Sequence, residues 1–298
     1  MDPVTHALSG MVLHKLGFKR KAALFVLVLS AVVPDIDYVT RFWGADVFLH
    51  YHRGITHGFL ALLLFPLITG FLFRNKGGFL YYAFLSFLGY ASHLFLDFTN
   101  QYGIQFLAPL DWNRYSLDLT FIIDPYIIGG LLAALILARI SRWKPALIAV
   151  CTVTLLACYI GGRYYMQGEA RQFLKKSMDA NVYRVYPLPN GLLRWWFVVK
   201  SADEATTGTV DLFMQKVFIY RKYNMRTDDP AVAESKKQRS VQNFLSFAAM
   251  PYAEVKREPG KTIILWRELS YSFLPGERFS VEVVLDAKGK VIKSSLKI

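Results

Sequence analysis

Apolar residues form long runs through the first half of the chain, broken by short polar loops, and short alternating stretches through the second half. The two patterns predict helices in a nonpolar solvent followed by strands in water. Residues 3–17 begin with a helix-start signal, Asp2 as cap and Pro3 in the first turn, and carry an apolar set at Val4, Ala7, Leu8, Met11, Val12 and Leu16. Residues 22–33 are apolar but too few to cross a bilayer. The two segments read as a hairpin that brings His6 and Asp35 to one end. Residues 55–73, 79–98, 120–140 and 145–162 are long enough to span, giving six helices in all.

From Tyr164 onward the chain turns polar, with strand-like stretches at 195–199, 209–220, 262–268 and 279–285. Asp286-Ala287-Lys288-Gly289-Lys290 is a hairpin turn before a last strand at 291–297, and residues 231–247 read as the one helix of this part. The expected fold class is α+β. A membrane-embedded helical bundle occupies residues 1–163, and a small antiparallel β-rich domain occupies residues 164–298.

Composition sharpens this division. A chain of 298 residues that is 54% hydrophobic with mean hydropathy +0.28 is too apolar for an ordinary soluble enzyme. Its net charge of +13 could suit nucleic acid, but the basic residues are scattered through a β-patterned tail and no nucleic-acid motif is present. Anionic lipid headgroups, or simple solubility, account for the charge. The loops at 19–21, 74–76 and 139–144 hold eight Lys and Arg, which places them on the cytoplasmic side and puts the opposite helix ends, with the tail, outside. The opening residues show no cleavable signal peptide. Cys151 and Cys158, seven apart in an apolar run, read as small core residues.

The chemistry lies where polar residues interrupt the apolar runs. All six histidines fall at or before His93, and all eight acids up to Arg163 are Asp. His93 and Asp97, four apart on a helix, face the same way and can present two ligands to one metal; the plainer alternative is a core histidine and a helix-end carboxylate. Pro34 is expected to end a helix and extend the chain, so that Asp35 and Asp37 point the same way, as ligand and bridging group or as turn caps. His52 and His57 frame Arg53-Gly54, where the glycine permits a sharp turn and the guanidinium can hold a phosphate or snorkel to the interface. His6 joins the same end. Asp124, before Pro125, is a further ligand or a charge-balancing neighbour. His14 and His50 read as structural and loop residues, and Asp111, Arg114 and Asp118 as solvated.

Together, Asp2-Pro3-Val4-Thr5-His6, Pro34-Asp35-Ile36-Asp37, His52-Arg53-Gly54-Ile55-Thr56-His57, Ser92-His93-Leu94-Phe95-Leu96-Asp97-Phe98-Thr99 and Ile123-Asp124-Pro125 resemble the YdjM-like bacterial inner-membrane proteins, described as membrane-bound metal-dependent hydrolases. The resemblance covers roughly residues 1–160. That family is distantly similar to zinc-dependent phospholipase C and the S1/P1 nucleases, in which His and Asp hold zinc ions that cleave phosphoesters. The resemblance implies His6, Asp35, His52 or His57, His93 and Asp97 as ligands.

The combined expectation is a bacterial inner-membrane hydrolase with two or more divalent ions, Zn²⁺ first and Mn²⁺ or Mg²⁺ also suited. Its ligands would come from His6, Asp35, Asp37, His52, His57, His93, Asp97 and Asp124. Asp37 would bridge or accept a proton, and Arg53 would bind phosphoryl oxygens of a lipid-like ester. The rival expectation is a divalent-metal transporter, or a sensor or scaffold without catalysis. A transporter should hold its ligands near the midplane on broken helices, whereas these sit at helix ends.

Overall fold

A computed structural model describes residues 1–225 and 228–298. The chain divides into two compact units, one made of residues 1–38, 53–166 and 187–192, the other of residues 39–52, 167–186 and 193–298.

The first unit is helical. Asp2 caps α1 (Pro3–His14) as its spacing predicts, its carboxylate accepting from the Val4 and Thr5 amides. α1 packs against α2 (Ala23–Val32), and both pack against the long α5 (Phe79–Thr99). These crossings are close because small residues line them. A Cβ on Gly10 would lie 2.9 Å from the Cα of Val28, and one on Gly89 would lie 2.6 Å from the Leu27 carbonyl oxygen. Beside Gly89, Ser30 and Ser86 share a buried hydrogen bond of 2.9 Å. Val26, Leu27, Tyr82 and Leu85 form the core between α2 and α5. A second core joins Leu8 and Val12 to Leu96, Leu131 of α6 (Pro125–Ile140), and Ile148 of α7 (Pro145–Ser177).

α4 (Phe59–Phe73) is apolar all round, and Leu60, Leu63, Leu64, Leu67, Ile68, Phe71 and Leu72 are exposed on it. In water such a surface would be severely destabilising; in hydrocarbon it is the expected one. Among the described residues four helical stretches are long and apolar enough to cross a membrane: Ala23–Trp43, Phe59–Lys76, Phe79–Thr99 and Pro145–Ser177.

This set differs from the expected one at three places, one being that Pro145–Ser177 runs well past the expected end at residue 162. Pro34 does not extend the chain; a 3₁₀ helix, Val33–Trp43, continues directly from α2 and lengthens that stretch. Proline lacks an N–H but its fixed φ suits a first helical turn, where that N–H has no acceptor to lose. With three residues per turn, Asp35 and Asp37 leave the helix about 120° apart, yet a carboxylate oxygen of each still lies within 4.8 Å of the other's. α6 is shorter than expected, because Asp124 caps it and Pro125 opens it. Cys151 and Cys158 lie on the exposed side of α7, not in a core.

The second unit contains two four-stranded antiparallel meanders. The first has the order β1 (Val182–Pro187), β2 (Arg194–Lys200), β3 (Glu204–Asp211), β4 (Lys216–Asn224). The second has β5 (Pro251–Glu258), β6 (Lys261–Glu268), β7 (Ser280–Asp286), β8 (Val291–Lys297). The expected single strand at 209–220 is a hairpin. The Asp211 carboxylate accepts from the Phe213 and Met214 amides and Gln215 adopts φ 51°, which turns the chain. The expected helix at 231–247 is two, α8 (Pro230–Ser235) and α9 (Arg239–Phe247); α8 serves β5 and β6 while α9 serves β7 and β8, directions that one straight rod cannot satisfy. A further short helix, α3 (Ala45–Tyr51) in chain order, packs on α9 within this unit.

Candidate metal centre

α5 supplies the centre's backbone. Its residues His93 and Asp97 lie one turn apart and are both fully buried, with His93 Nε2 3.5 Å from Asp97 Oδ2. His57, from the 3₁₀ turn Ile55–His57 that precedes α4, places its Nε2 3.3 Å from the same oxygen and 3.0 Å from His93 Nε2. Asp35, from the 3₁₀ helix after α2, directs Oδ1 to within 3.8 Å of both imidazoles. Ligand atoms of Asp35, His57, His93 and Asp97 all lie within 4.8 Å of one another. His6 of α1 completes the group: its ring stacks on His93 at 3.6 Å, and its Nε2 is 3.3 Å from Asp97 Oδ1. The amino group of Met1 also pairs with that oxygen.

Hydrogen bonds behind the rings fix which nitrogens face inward. His93 Nδ1 donates to the Ala31 carbonyl at 2.7 Å, so its Nε2 carries the lone pair. His57 Nδ1 lies 3.1 Å from the Thr56 hydroxyl, which donates in turn to Asp37 Oδ2 at 2.9 Å, so its Nε2 is also an acceptor. Two acceptor nitrogens 3.0 Å apart beside two carboxylates repel one another unless a cation lies among them. The remaining polar atoms agree. Both oxygens of Asp35 and both nitrogens of His6 are buried without a hydrogen-bond partner among the described residues. A buried carboxylate left so costs several kcal/mol, which a bound cation removes. Burial holds the His6 imidazole well below its ordinary value and His57 down at about 4, so both are proton-free donors at neutral pH. The donor set of imidazole nitrogen and carboxylate oxygen fits a bound metal ion.

Asp37 stays beside the group, with a carboxylate oxygen within 4.8 Å of one of Asp35, and the remaining expected residues have different surroundings. Asp37 accepts from the Arg53 amide at 2.8 Å as well as from Thr56, and lies 3.5 Å from His57 Nδ1. Arg53, rather than Gly54, adopts the left-handed backbone, φ 60°, and the bond from its amide to Asp37 holds it there. Its guanidinium is buried against Asp97 Oδ2 at 3.0 Å, the Asn100 side-chain oxygen at 2.8 Å and the Tyr102 ring at 4.7 Å. It therefore braces a cluster carboxylate. The Asp124 oxygens are taken by the Tyr126 and Ile127 amides and the Tyr159 hydroxyl. His52 belongs to the second unit, where it ends α3 with its ring stacked on Phe48 at 4.6 Å. His14 closes α1, and His50 lies 3.3 Å from the Ser246 hydroxyl.

Asn100, Thr56 and the Ala31 carbonyl are the contributors that residue typing passed over. Asn100 sits at the end of α5 in the same polar run as Asp97, and Thr56 precedes His57, so position was the available signal for both. The Ala31 carbonyl carries no signal in sequence.

Comparison with known proteins agrees with the architecture. The chain is similar to an uncharacterized protein, YfhP, of Bacillus subtilis (strain 168), 25% identical over 222 residues that cover 69% of this chain and 66% of that protein. The chain thus spans slightly under two thirds of that relative's length. No solved structure matches, and none of the comparisons carries the likeness to phospholipase C. The profile of the YdjM inner membrane protein family matches residues 1–170. With that match over more than half of the chain, and a buried His/Asp cluster within it, the chain belongs to the YdjM inner membrane protein family.

Proposed function

We propose that the chain is a membrane-bound, metal-dependent hydrolase acting on a phosphoester of a lipid-like substrate. The observation that carries this reading is the facing pair of imidazole acceptors, His57 and His93, closed off by Asp35 and Asp97. Asp35, His57, His93 and Asp97 would hold the ion, with His6 available to a second. Such an ion, when bound, supplies Lewis acidity toward a phosphoryl oxygen and makes water acidic enough to attack near neutral pH. The chain's own residues orient the site. Thr56 and Asp37 hold His57 in its donating tautomer, the Ala31 carbonyl does the same for His93, and Arg53 with Asn100 fixes Asp97. The chain would lie in the inner membrane as a multi-pass protein, with its basic loops in the cytoplasm and the centre and C-terminal strands outside.

A second reading, an ion that fastens the helices without chemistry, is favoured by burial: His6, His57, His93 and Asp97 are all fully enclosed, as in closed structural sites. One experiment separates the two. Elemental analysis of detergent-purified wild type should find stoichiometric transition metal, and His57→Ala and Asp97→Ala should lose it. Phosphodiesterase and phosphatase assays on mixed lipids should then show turnover by wild type alone. Wild type without metal would end both readings, and bound metal without turnover on any ester would leave the fastening role.

A further inference from the structure

The second unit holds a cavity of about 380 Å³ between β4 of the first sheet and the segment following β6 of the second. Its composition differs from a packing defect. Tyr220, 62% exposed, forms an aromatic wall stacked on the indole of Trp196 at 5.8 Å. Trp196 is itself fixed by an indole N–H bond to the Leu269 carbonyl at 3.0 Å. At the floor lies Arg267, whose Nη2 is occupied by Glu277 at 2.8 Å and Glu254 at 3.3 Å. Its Nε–H is buried with no acceptor among the described residues. At the rim Arg278 is exposed and pairs with no acid among the described residues. Glu268, which also lines the cavity, is spent on the Met250 and Ser270 amides. The lining therefore carries an excess of guanidinium over free carboxylate.

The rim loop adds a second signal. Glu277 and Phe279 both adopt left-handed backbone, φ 53° and 52°, next to Gly276 at 84°. Two non-glycine residues in that region are strained, and such strain concentrates at ligand clamps. The hydroxyl-bearing residues Thr207, Tyr223 and Ser272 are also among those that line the cavity, the Ser272 hydroxyl donating to the Leu269 carbonyl at 2.8 Å.

We propose that this cavity binds a sugar unit bearing an acidic group, its ring against Tyr220 and its carboxylate or phosphate on Arg278. The C–H face of a sugar ring is weakly positive and packs on the negative face of an aromatic ring. The Arg278 guanidinium supplies paired N–H donors that suit a carboxylate or phosphate, and the hydroxyls suit a polyhydroxylated ligand. The size admits one or two rings.

The test is calorimetric titration of the full chain in detergent with digalacturonate, galactose 6-phosphate, neutral galactobiose, inorganic phosphate and adenosine monophosphate. At least one acidic sugar should bind ten-fold or more tightly than galactobiose and inorganic phosphate, and which one shows whether the acid is carboxylate or phosphate. Arg278→Ala and Tyr220→Ala, both at exposed positions and checked for unchanged thermal unfolding, should each weaken that binding at least ten-fold. That pair also separates this cavity from the metal centre, which neither substitution touches. Equal binding of galactobiose or of inorganic phosphate, tighter binding of the nucleotide, or wild-type affinity in both variants would overturn the proposal.

Discussion

Arg53 shows how far a residue's role can lie from its type. A basic residue among histidines at a membrane rim suggests a receptor for phosphate, yet its guanidinium is turned inward onto Asp97 and Asn100, and its backbone is left-handed. The His and Asp spacing around it was legible, because a metal needs those donors at close range and few other uses put them in apolar helices. The tautomer supports were not legible, since a backbone carbonyl and a threonine hydroxyl have no distinctive spacing. They are testable individually. Thr56→Val leaves every candidate ligand in place, Asp37→Asn alters the carboxylate beside Asp35, and both disturb the bond that orients His57. Both are expected to lower metal affinity about 10- to 100-fold, read by competition with a chromogenic chelator. Unchanged affinity in both would mean that the imidazole needs no such guide.

At the level of elements, the long apolar runs announced α4, α5 and α7, because their length and uniformity leave no alternative. What local pattern missed was set by contacts at a distance or by a single turn: the 3₁₀ continuation past Pro34, the Asp211 hairpin and the break between α8 and α9. Close helix crossings depend on particular small residues. Gly89→Ala would place a methyl carbon 2.6 Å from the Leu27 carbonyl and 3.1 Å from Ser30 Cβ, so α2 must move. We expect a loss of about 1–3 kcal/mol in thermal unfolding, together with weaker metal retention, because His93 lies one turn further along α5. Asp124→Ala gives the contrasting result. It removes the α6 cap and should cost about 1 kcal/mol while leaving the metal content at the wild-type level. Loss of metal in that variant would make Asp124 a ligand after all.

Across the whole molecule, composition separates an apolar half from a polar one, but packing groups segments that composition does not. Residues 39–52 belong with the C-terminal strands and residues 187–192 with the helices. Such groupings rest on contacts between distant parts of the chain, which no window along the sequence contains. Charge in the short loops makes a separate prediction about orientation. A reporter that is active only outside the cytoplasm, fused after Ile298, should report activity, and a parallel fusion within residues 74–78 should not. The reverse pattern would invert the proposed topology.

The facing nitrogens of His57 and His93 have a consequence for the protein's life in a cell. A nascent chain that meets no cation must bring two lone pairs and two carboxylates together against their mutual repulsion, whereas one that captures an ion gains cohesion in proportion to the logarithm of the free ion concentration. Supply of that ion, more than the rate of synthesis, would then decide how much of the protein survives quality control. Starving cells of transition metals should deplete it while its messenger stays constant.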